Sequence, residues 1–209
     1  MSHSEFGTVL IEPTSIDLPK LADTLAQAFM DDPVLSWTLR QDNRRKWALR
    51  RYFTFLLGNA VEEGEVMVTK NFEACAVWFP PGKGFIDASS EVMKTLQPEL
   101  LRWSRKDRLD RLFEVIRLFV ENRPSWPHYY LEFLGVIPKY QGRGLGTQLL
   151  TSKLALIDKE DAHAYLENSN ERNTLLYSRH GFKVIKQTSL VGSGPILTFM
   201  RRNPNEKIH

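Results

Sequence analysis

The fold is decided by residues 128–147, which read HYYLEFLGVIPKYQGRGLGT. The first part, His128 to Val136, has the aromatic and β-branched content of a buried strand. Glycines follow at 142, 144 and 146, and the apolar positions after them recur at helical spacing, which predicts a helix over about 144–159. The next strand is predicted at 164–167. A strand, a glycine turn, a helix and a strand in this order predict a βαβ unit.

The glycine turn is predicted to bind an anionic group. The first amides of a helix have no partner within the helix, and the aligned peptide dipoles place partial positive charge there. The glycines would let a diphosphate approach the main chain, and Lys139 and Arg143 would add positive charge. The spacing does not fit the dinucleotide fingerprint or the P-loop. On these residues alone, a purely structural turn remains the alternative.

The remaining pattern predicts an α/β fold, in which helices pack on a mixed sheet within one domain. Residues 87–121 alternate as in a helix, and Asp17 is predicted to cap the first helix. The other predicted helices are 18–30, 44–60 and 171–179, and the other predicted strands are 65–69, 74–79, 182–190 and 196–201.

The composition indicates an ordinary globular protein. The chain has 209 residues, of which 42% are hydrophobic, and its net charge is +3, which is too small to imply a nucleic-acid partner. The basic run from Arg40 to Phe53 is predicted to be the solvated face of a helix, with a patch for an anionic ligand or nucleic acid as the alternative. The lone Cys75 lies in an apolar run and is predicted to be a core residue. Neither a signal-like segment nor a membrane span is evident, so we expect a cytoplasmic protein with no membrane partner.

Several segments together resemble the GCN5-related N-acetyltransferase (GNAT) family. Gln141, Gly144 and Gly146 match its coenzyme motif of Gln or Arg, two variable residues, Gly, one variable residue, and Gly or Ala. The resemblance covers about 128–201 and includes 134–138, Asn173 and 177–182. Within the family, residues 78–82 and 165–168 look most like the puromycin N-acetyltransferase group.

The resemblance implies a GNAT-like fold, in which a central mixed sheet contains two parallel strands that splay apart. It implies a single domain over 1–209, with a coenzyme-binding half at about 128–201 and acceptor-binding elements at about 18–126. Acetyl-CoA is the implied co-substrate, and an N–H near Leu134 would point at the thioester oxygen. The residues implied to bind the coenzyme are Leu134, Gly135, Val136, Gln141, Gly142, Arg143, Gly144, Leu145, Gly146, Thr147, Asn173 and Tyr177.

Direct attack of an amine within a ternary complex needs a base for the ammonium and an acid for the departing thiolate. Tyr177 matches the family tyrosine assigned as the acid, and a phenol is protonated at neutral pH. Glu132 is the predicted base because a period of two places it on the same strand face as Leu134, unless a bulge intervenes. Glu167 and His128 are the alternatives. A base would be needed most at low pH.

The sequence therefore predicts an N-acetyltransferase that acts on a small-molecule amine without a metal, as a monomer or homodimer. A protein-directed acetyltransferase and a non-catalytic acetyl-CoA sensor or scaffold remain open. The weakest resemblance lies in the acceptor-binding part, so the acceptor itself is not predicted. The aromatic residues expected to line its pocket are Trp37, Phe85, Trp103 and Trp126.

Overall fold

The computed structural model describes residues 8–11, 18–84 and 90–205. Seven strands in these ranges form one sheet: β1 (Thr8–Ile11), β2 (Glu65–Thr69), β3 (Ala74–Phe79), β4 (His128–Val136), β5 (His163–Asn168), β6 (Lys183–Ser189) and β7 (Ile196–Arg202). Their order across the sheet is β1-β2-β3-β4-β5-β7-β6. Neighbouring strands are antiparallel except β4 and β5, which are parallel. The predicted mixed sheet is confirmed.

The helices cover both faces of the sheet. In the described ranges they are α1 (Leu18–Ala28), α2 (Pro33–Thr38), α3 (Arg45–Glu63), α4 (Ser90–Ser104), α5 (Leu109–Asn122), α6 (Leu145–Lys159) and α7 (Thr174–Arg179). The first five enclose an apolar cluster that includes Leu25, Phe53 and Tyr130. α6 packs on the opposite face, against Trp78 and Leu166. Among the helices of these ranges, none combines the length and the apolar character that a bilayer crossing requires.

The strands predicted at 65–69, 74–79 and 128–136 have the predicted bounds, but β1 and α2 are absent from the sequence prediction. The breaker Asp31-Asp32-Pro33 also starts a helix. Pro33 is the first residue of α2, where a missing N–H costs nothing, and the Asp32 carboxylate accepts a hydrogen bond from the Leu35 amide at 2.9 Å. The residues that follow the end of α1 are thus also the N-terminal cap of α2.

The helical stretch predicted at 87–121 contains two helices. Arg105 has a φ of 74°, in the left-handed region, and separates α4 from a turn of 3-10 helix at Lys106–Arg108 and then α5. Asp17, Phe85 and residues 87–89 lie outside the described residues. Cys75 is buried in the core as predicted, and burial raises the pKa of its thiol to about 12.

The basic run on α3 is only partly the solvated face predicted from the sequence. Arg45 is 8% exposed, and its guanidinium donates hydrogen bonds to the carbonyl oxygens of Met30, Leu35 and Arg40. The prediction is wrong for this residue, because a helical pattern cannot show that the preceding loop folds back over one arginine. Arg45 instead ties the loop around α2 to α3.

We expect Arg45→Leu to lower the free energy of unfolding by about 3 kcal/mol, because it leaves several backbone carbonyls without donors. Urea denaturation at neutral pH measures this loss. The matched control is Lys46→Leu on the same helix, where the side chain is exposed and the change should be small. Equal stability of the two variants would contradict a structural role for Arg45.

Candidate active site

A cavity of about 580 Å³ lies where β4 and β5 separate. The parallel pairing of these strands ends at Leu131 and Leu166, although β4 continues to Val136. Beyond that point, no strand of the described chain pairs with the edge of β4 that faces β5. This is the splayed pair implied by the resemblance, and its gap leaves main-chain groups available to a ligand.

Glu132 enters the cavity from a β-bulge in β4. Phe133 lies opposite Val77, and Leu131 lies opposite the next residue, Trp78, so Glu132 has no partner across the pair. Leu131 and Leu134 pack on the α6 face, whereas Phe133 packs on the other face. The bulge therefore breaks the period of two that placed Glu132 and Leu134 on one face, yet both residues line the cavity.

The two splayed strands each contribute one carboxyl group to the cavity, Glu132 from β4 and Glu167 from β5. One oxygen of each, Oε2 and Oε1 respectively, is buried without a hydrogen bond to any residue of the described chain. Burial raises the pKa of Glu132 to about 8, with Arg123 opposing the shift and Glu167 adding to it. Burial also raises the pKa of Glu167, opposed by Arg123 and the nearby hydroxyls of Tyr130 and Tyr165. Such a pair can accept a proton near neutral pH.

Tyr177 lines the same cavity from α7. Its side chain is 7% exposed, and its ring packs edge-on against Phe182 with the centroids 6.0 Å apart. Burial, assisted by the charge of Asp32, raises the pKa of its hydroxyl well above the usual value. The hydroxyl forms no hydrogen bond with the described residues, and neither does the side chain of Asn173, which also lines the cavity. The structure thus brings Tyr177, Asn173, Glu132 and Glu167 together.

The glycine turn lies next to the open edge of β4. Gln141 donates a side-chain hydrogen bond to the carbonyl of Val136 at 3.1 Å and ties the turn to the strand. Gly142 and Gly144 have φ values of 74° and 80°, which only glycine adopts without strain. Gly144 precedes α6 and offers no capping side chain, so the amides of the first turn, at Leu145, Gly146 and Thr147, have no partner within the helix.

Gly146 has a different reason to be glycine. Its φ is not in the left-handed region, and a Cβ would lie at ordinary contact distance, 3.7 Å from Leu176 and Val136 and 3.9 Å from Leu134. Neither the backbone nor the packing within the chain requires glycine here. The missing side chain leaves the Gly146 main chain uncovered beside Leu134 and Val136 of β4. Lys139 and Arg143 both lie over the ring of Tyr140.

Some predicted residues lie elsewhere. Gly135 packs on α1, since a Cβ there would lie 2.9 Å from Ala28. His128 is buried at the start of β4, beside the carbonyl of Trp126, and does not line the cavity. Trp126 packs against His128, and Trp37 lies under Arg111. Of the predicted pocket aromatics that are described, only Trp103 lines the cavity.

Two charged residues of the cavity lining were missed by the sequence reasoning, Asp32 and Arg123. Asp32 caps α2 and accepts a hydrogen bond from the Ser169 hydroxyl, which joins the α1–α2 loop to the end of β5. Burial raises the pKa of its carboxyl. Arg123 lies over the ring of Tyr130, 4.1 Å from its centroid. Both stand next to prolines in breaker sequences, and only the tertiary structure reveals that these breakers border a cavity.

Comparison with known proteins identifies the class of this enzyme. Residues 105–184, which run from before α5 through β4, the glycine turn and Tyr177, match the family model described as an acetyltransferase (GNAT) domain. The chain is therefore an acyltransferase enzyme, and its residues 105–184 are similar to the GNAT acetyltransferase domain.

Individual relatives agree with this class. An uncharacterized N-acetyltransferase from Schizosaccharomyces pombe is 27% identical over 183 residues, and the match covers 79% of this chain and 70% of the relative. The structure of histone acetyltransferase HPA2 and related acetyltransferase from Corynebacterium glutamicum is similar with a TM-score of 0.71 at 23% identity, over 97% of this chain and 99% of that one. Arylalkylamine N-acetyltransferase 2 from Aedes aegypti gives 0.65 at 15% identity, over 97% and 100%. Both structural matches show the fold.

Proposed function

We propose that this enzyme transfers the acetyl group of acetyl-CoA to the amine of a small molecule, by direct attack within a ternary complex. The observation that carries the proposal is the meeting of Tyr177, Glu132 and Glu167 in one cavity beside the unpaired edge of β4. An activated thioester is what acetyl-CoA supplies to this site. A carboxylate of the pair accepts a proton from the ammonium, and the Tyr177 hydroxyl donates one to the sulfur.

The main chain supplies the remaining parts of the reaction. In this proposal the amides near Leu134 stabilise the negative charge that grows on the thioester oxygen, and they need no reorganisation because β4 is fixed by β3. As the nitrogen–carbon bond forms, the carbon–sulfur bond breaks and the sulfur takes its proton from Tyr177. The proton that the acylated nitrogen then loses restores the Tyr177 hydroxyl. The amides at 145–147 hold the diphosphate, with Lys139 and Arg143 beside them.

A small acceptor is favoured over a polypeptide because α3, α4 and α5 wall the cavity on the side away from β5. Catalysis is favoured over mere sensing because the Tyr177 hydroxyl faces the cavity without a partner in the described chain, whereas binding alone needs no proton donor there. One similar structure is named for histones and another for arylalkylamines, so both acceptor classes belong in the tests. Membership of the puromycin N-acetyltransferase group stays a prediction from residues 78–82 and 165–168.

The coenzyme site is tested by the pair Gly146→Leu and Gly146→Ala. We expect leucine to weaken binding of acetyl-CoA by roughly 10- to 100-fold, because its side chain fills the space beside Leu134 and Val136. Alanine fits at ordinary contact distance and matches the family motif, so it should bind within a few-fold of the parent. Isothermal titration calorimetry with acetyl-CoA measures both.

A substitution at position 146 tests coenzyme binding more directly than one at position 144. Any side chain at Gly144 strains the backbone at a φ of 80°, so a lost affinity there has two explanations. Thermal unfolding should show that both Gly146 variants are folded. Parent-like affinity in a folded Gly146→Leu variant would place the coenzyme elsewhere and overturn the proposal.

A further inference from the structure

The charged groups that line the cavity are mostly acidic. Among the described residues of the lining, three carboxyl groups, those of Asp32, Glu132 and Glu167, accompany one cationic side chain, Arg123. This described part of the lining contains neither lysine nor histidine. The unpartnered oxygens of Glu132 and Glu167 lie on the two strands that frame the reaction centre. A buried carboxylate without a partner costs free energy, and a bound cation relieves that cost. The centre of the cavity therefore matches a cationic group such as an ammonium.

The outer wall of the cavity is aromatic and aliphatic. Tyr52 and Phe55 of α3 pack against Trp103 of α4, with ring centroids 5.6 Å and 5.5 Å apart. α5 contributes Ile116 and Phe119. Phe55 also lines the cavity and is 41% exposed. A ligand that covers this wall must be largely apolar, because the wall offers few polar partners, among them the unpartnered indole N–H of Trp103.

We propose that the acceptor is an amine with a single positive charge and a bulky apolar body, aromatic for preference. Its ammonium lies between Glu132 and Glu167, and its body packs against Tyr52, Phe55 and Trp103. This inference rests on the proposed function and adds the substrate class. It excludes polyamines, aminoglycosides and the N-termini of peptides as preferred acceptors, since each would bring further polar groups to the apolar wall.

A series of amines tests the proposal on the intact enzyme. With acetyl-CoA saturating, kcat/KM should rise roughly three- to fourfold for each methylene from ethylamine to hexylamine, because each added group is buried. Phenylethylamine and tryptamine should exceed ethylamine by at least about 100-fold on the same scale. Spermidine, kanamycin and a tripeptide with a free N-terminus should be much poorer acceptors than phenylethylamine.

A matched pair of variants on α3 separates wall contact from general stability. Phe55→Ala should lower kcat/KM for phenylethylamine roughly tenfold while leaving ethylamine nearly unchanged. Trp47→Ala is the control, because Trp47 is an aromatic of similar exposure, 38%, on the same helix but outside the cavity. It should change neither substrate.

The possible outcomes distinguish the proposed acceptor class from the proposed acetyltransferase function. Acetylation of spermidine or the peptide in preference to phenylethylamine, or equal rates along the alkylamine series, would overturn the substrate class while leaving an acetyltransferase in place. An equal effect of Phe55→Ala on ethylamine and phenylethylamine would overturn the apolar wall as the specificity element. If no amine is acetylated and acetyl-CoA does not bind, the proposed function itself is wrong, and the inference falls with it.

Discussion

Tyr177→Phe is expected to lower kcat by roughly 10²- to 10⁴-fold, which is the usual contribution of a general acid, and to leave the affinity for acetyl-CoA nearly unchanged. The ring is buried and packs against Phe182, and phenylalanine preserves both features. The hydroxyl has no hydrogen-bond partner among the described residues, so its removal should cost little stability. Its raised pKa keeps it protonated, and therefore able to donate, throughout the physiological range. Single-turnover rates with a good amine acceptor measure the effect.

Tyr129→Phe is the matched control for this experiment. Tyr129 is also buried, but its hydroxyl donates to Glu160 at 2.6 Å on the α6 side of the sheet, away from the cavity. Its loss should lower the free energy of unfolding by about 1–3 kcal/mol and leave kcat unchanged. A Tyr177→Phe variant that turns over within about threefold of the parent, well below the general-acid range, would return Tyr177 to a packing role.

The sequence predicts the sheet well where a local pattern is enough. β2, β3 and β4 are continuous apolar or aromatic runs with turn residues at their ends, and their bounds agree with the prediction. β1 is a strand because it pairs with β2, from Thr8 opposite Thr69 to Ile11 opposite Val66, and that pairing joins segments far apart in the chain. Local periodicity contains no information about such a partner.

The candidate site divides in the same way. The turn at 141–146 and Tyr177 could be named from the sequence because glycine spacing and a family motif are local features. The bulge at Glu132 could not, since it exists only in the register between β4 and β3. Asp32 and Arg123 reach the site only through tertiary contacts. Four aromatic residues were predicted for the acceptor pocket, but the sequence does not show which face each helix buries. Of the three that the structure describes, Trp103 lies there.

Glu132→Gln is expected to lower kcat/KM about 100-fold at pH 9 and only slightly at pH 6. The sequence alone suggests the opposite dependence, with the largest loss at low pH where a base is needed most. The structure reverses this expectation because burial raises the pKa of Glu132 to about 8. Below that pH the parent carboxyl is protonated and cannot act as a base, so the parent and the variant converge. The parent profile should rise through a limb near pH 8 that the variant lacks.

Glu132→Gln should also stabilise the folded protein at high pH, although it lowers activity there. The pKa of Glu132 rises from 4.5 to about 8 on folding, so the folded state favours the protonated carboxyl. Below pH 4.5 its ionisation costs the fold nothing; between pH 4.5 and 8 the cost accumulates, and above pH 8 it is constant. Glutamine never pays this cost. Glu132→Gln should therefore gain on the order of a few kcal/mol in the free energy of unfolding at pH 9 relative to pH 4.5.

Urea denaturation at the two pH values measures this gain, and Glu62→Gln is the control because Glu62 is an exposed glutamate on α3. Its stability should follow the parent at both pH values. Loss of activity together with gain of stability at high pH is the signature of a carboxylate kept for chemistry at the expense of the fold. If Glu132→Gln is inactive but less stable than the parent at pH 9, Glu132 is a structural residue. If Glu132→Gln is active, the base is Glu167 instead. The pH profile of Glu167→Gln then tests that assignment.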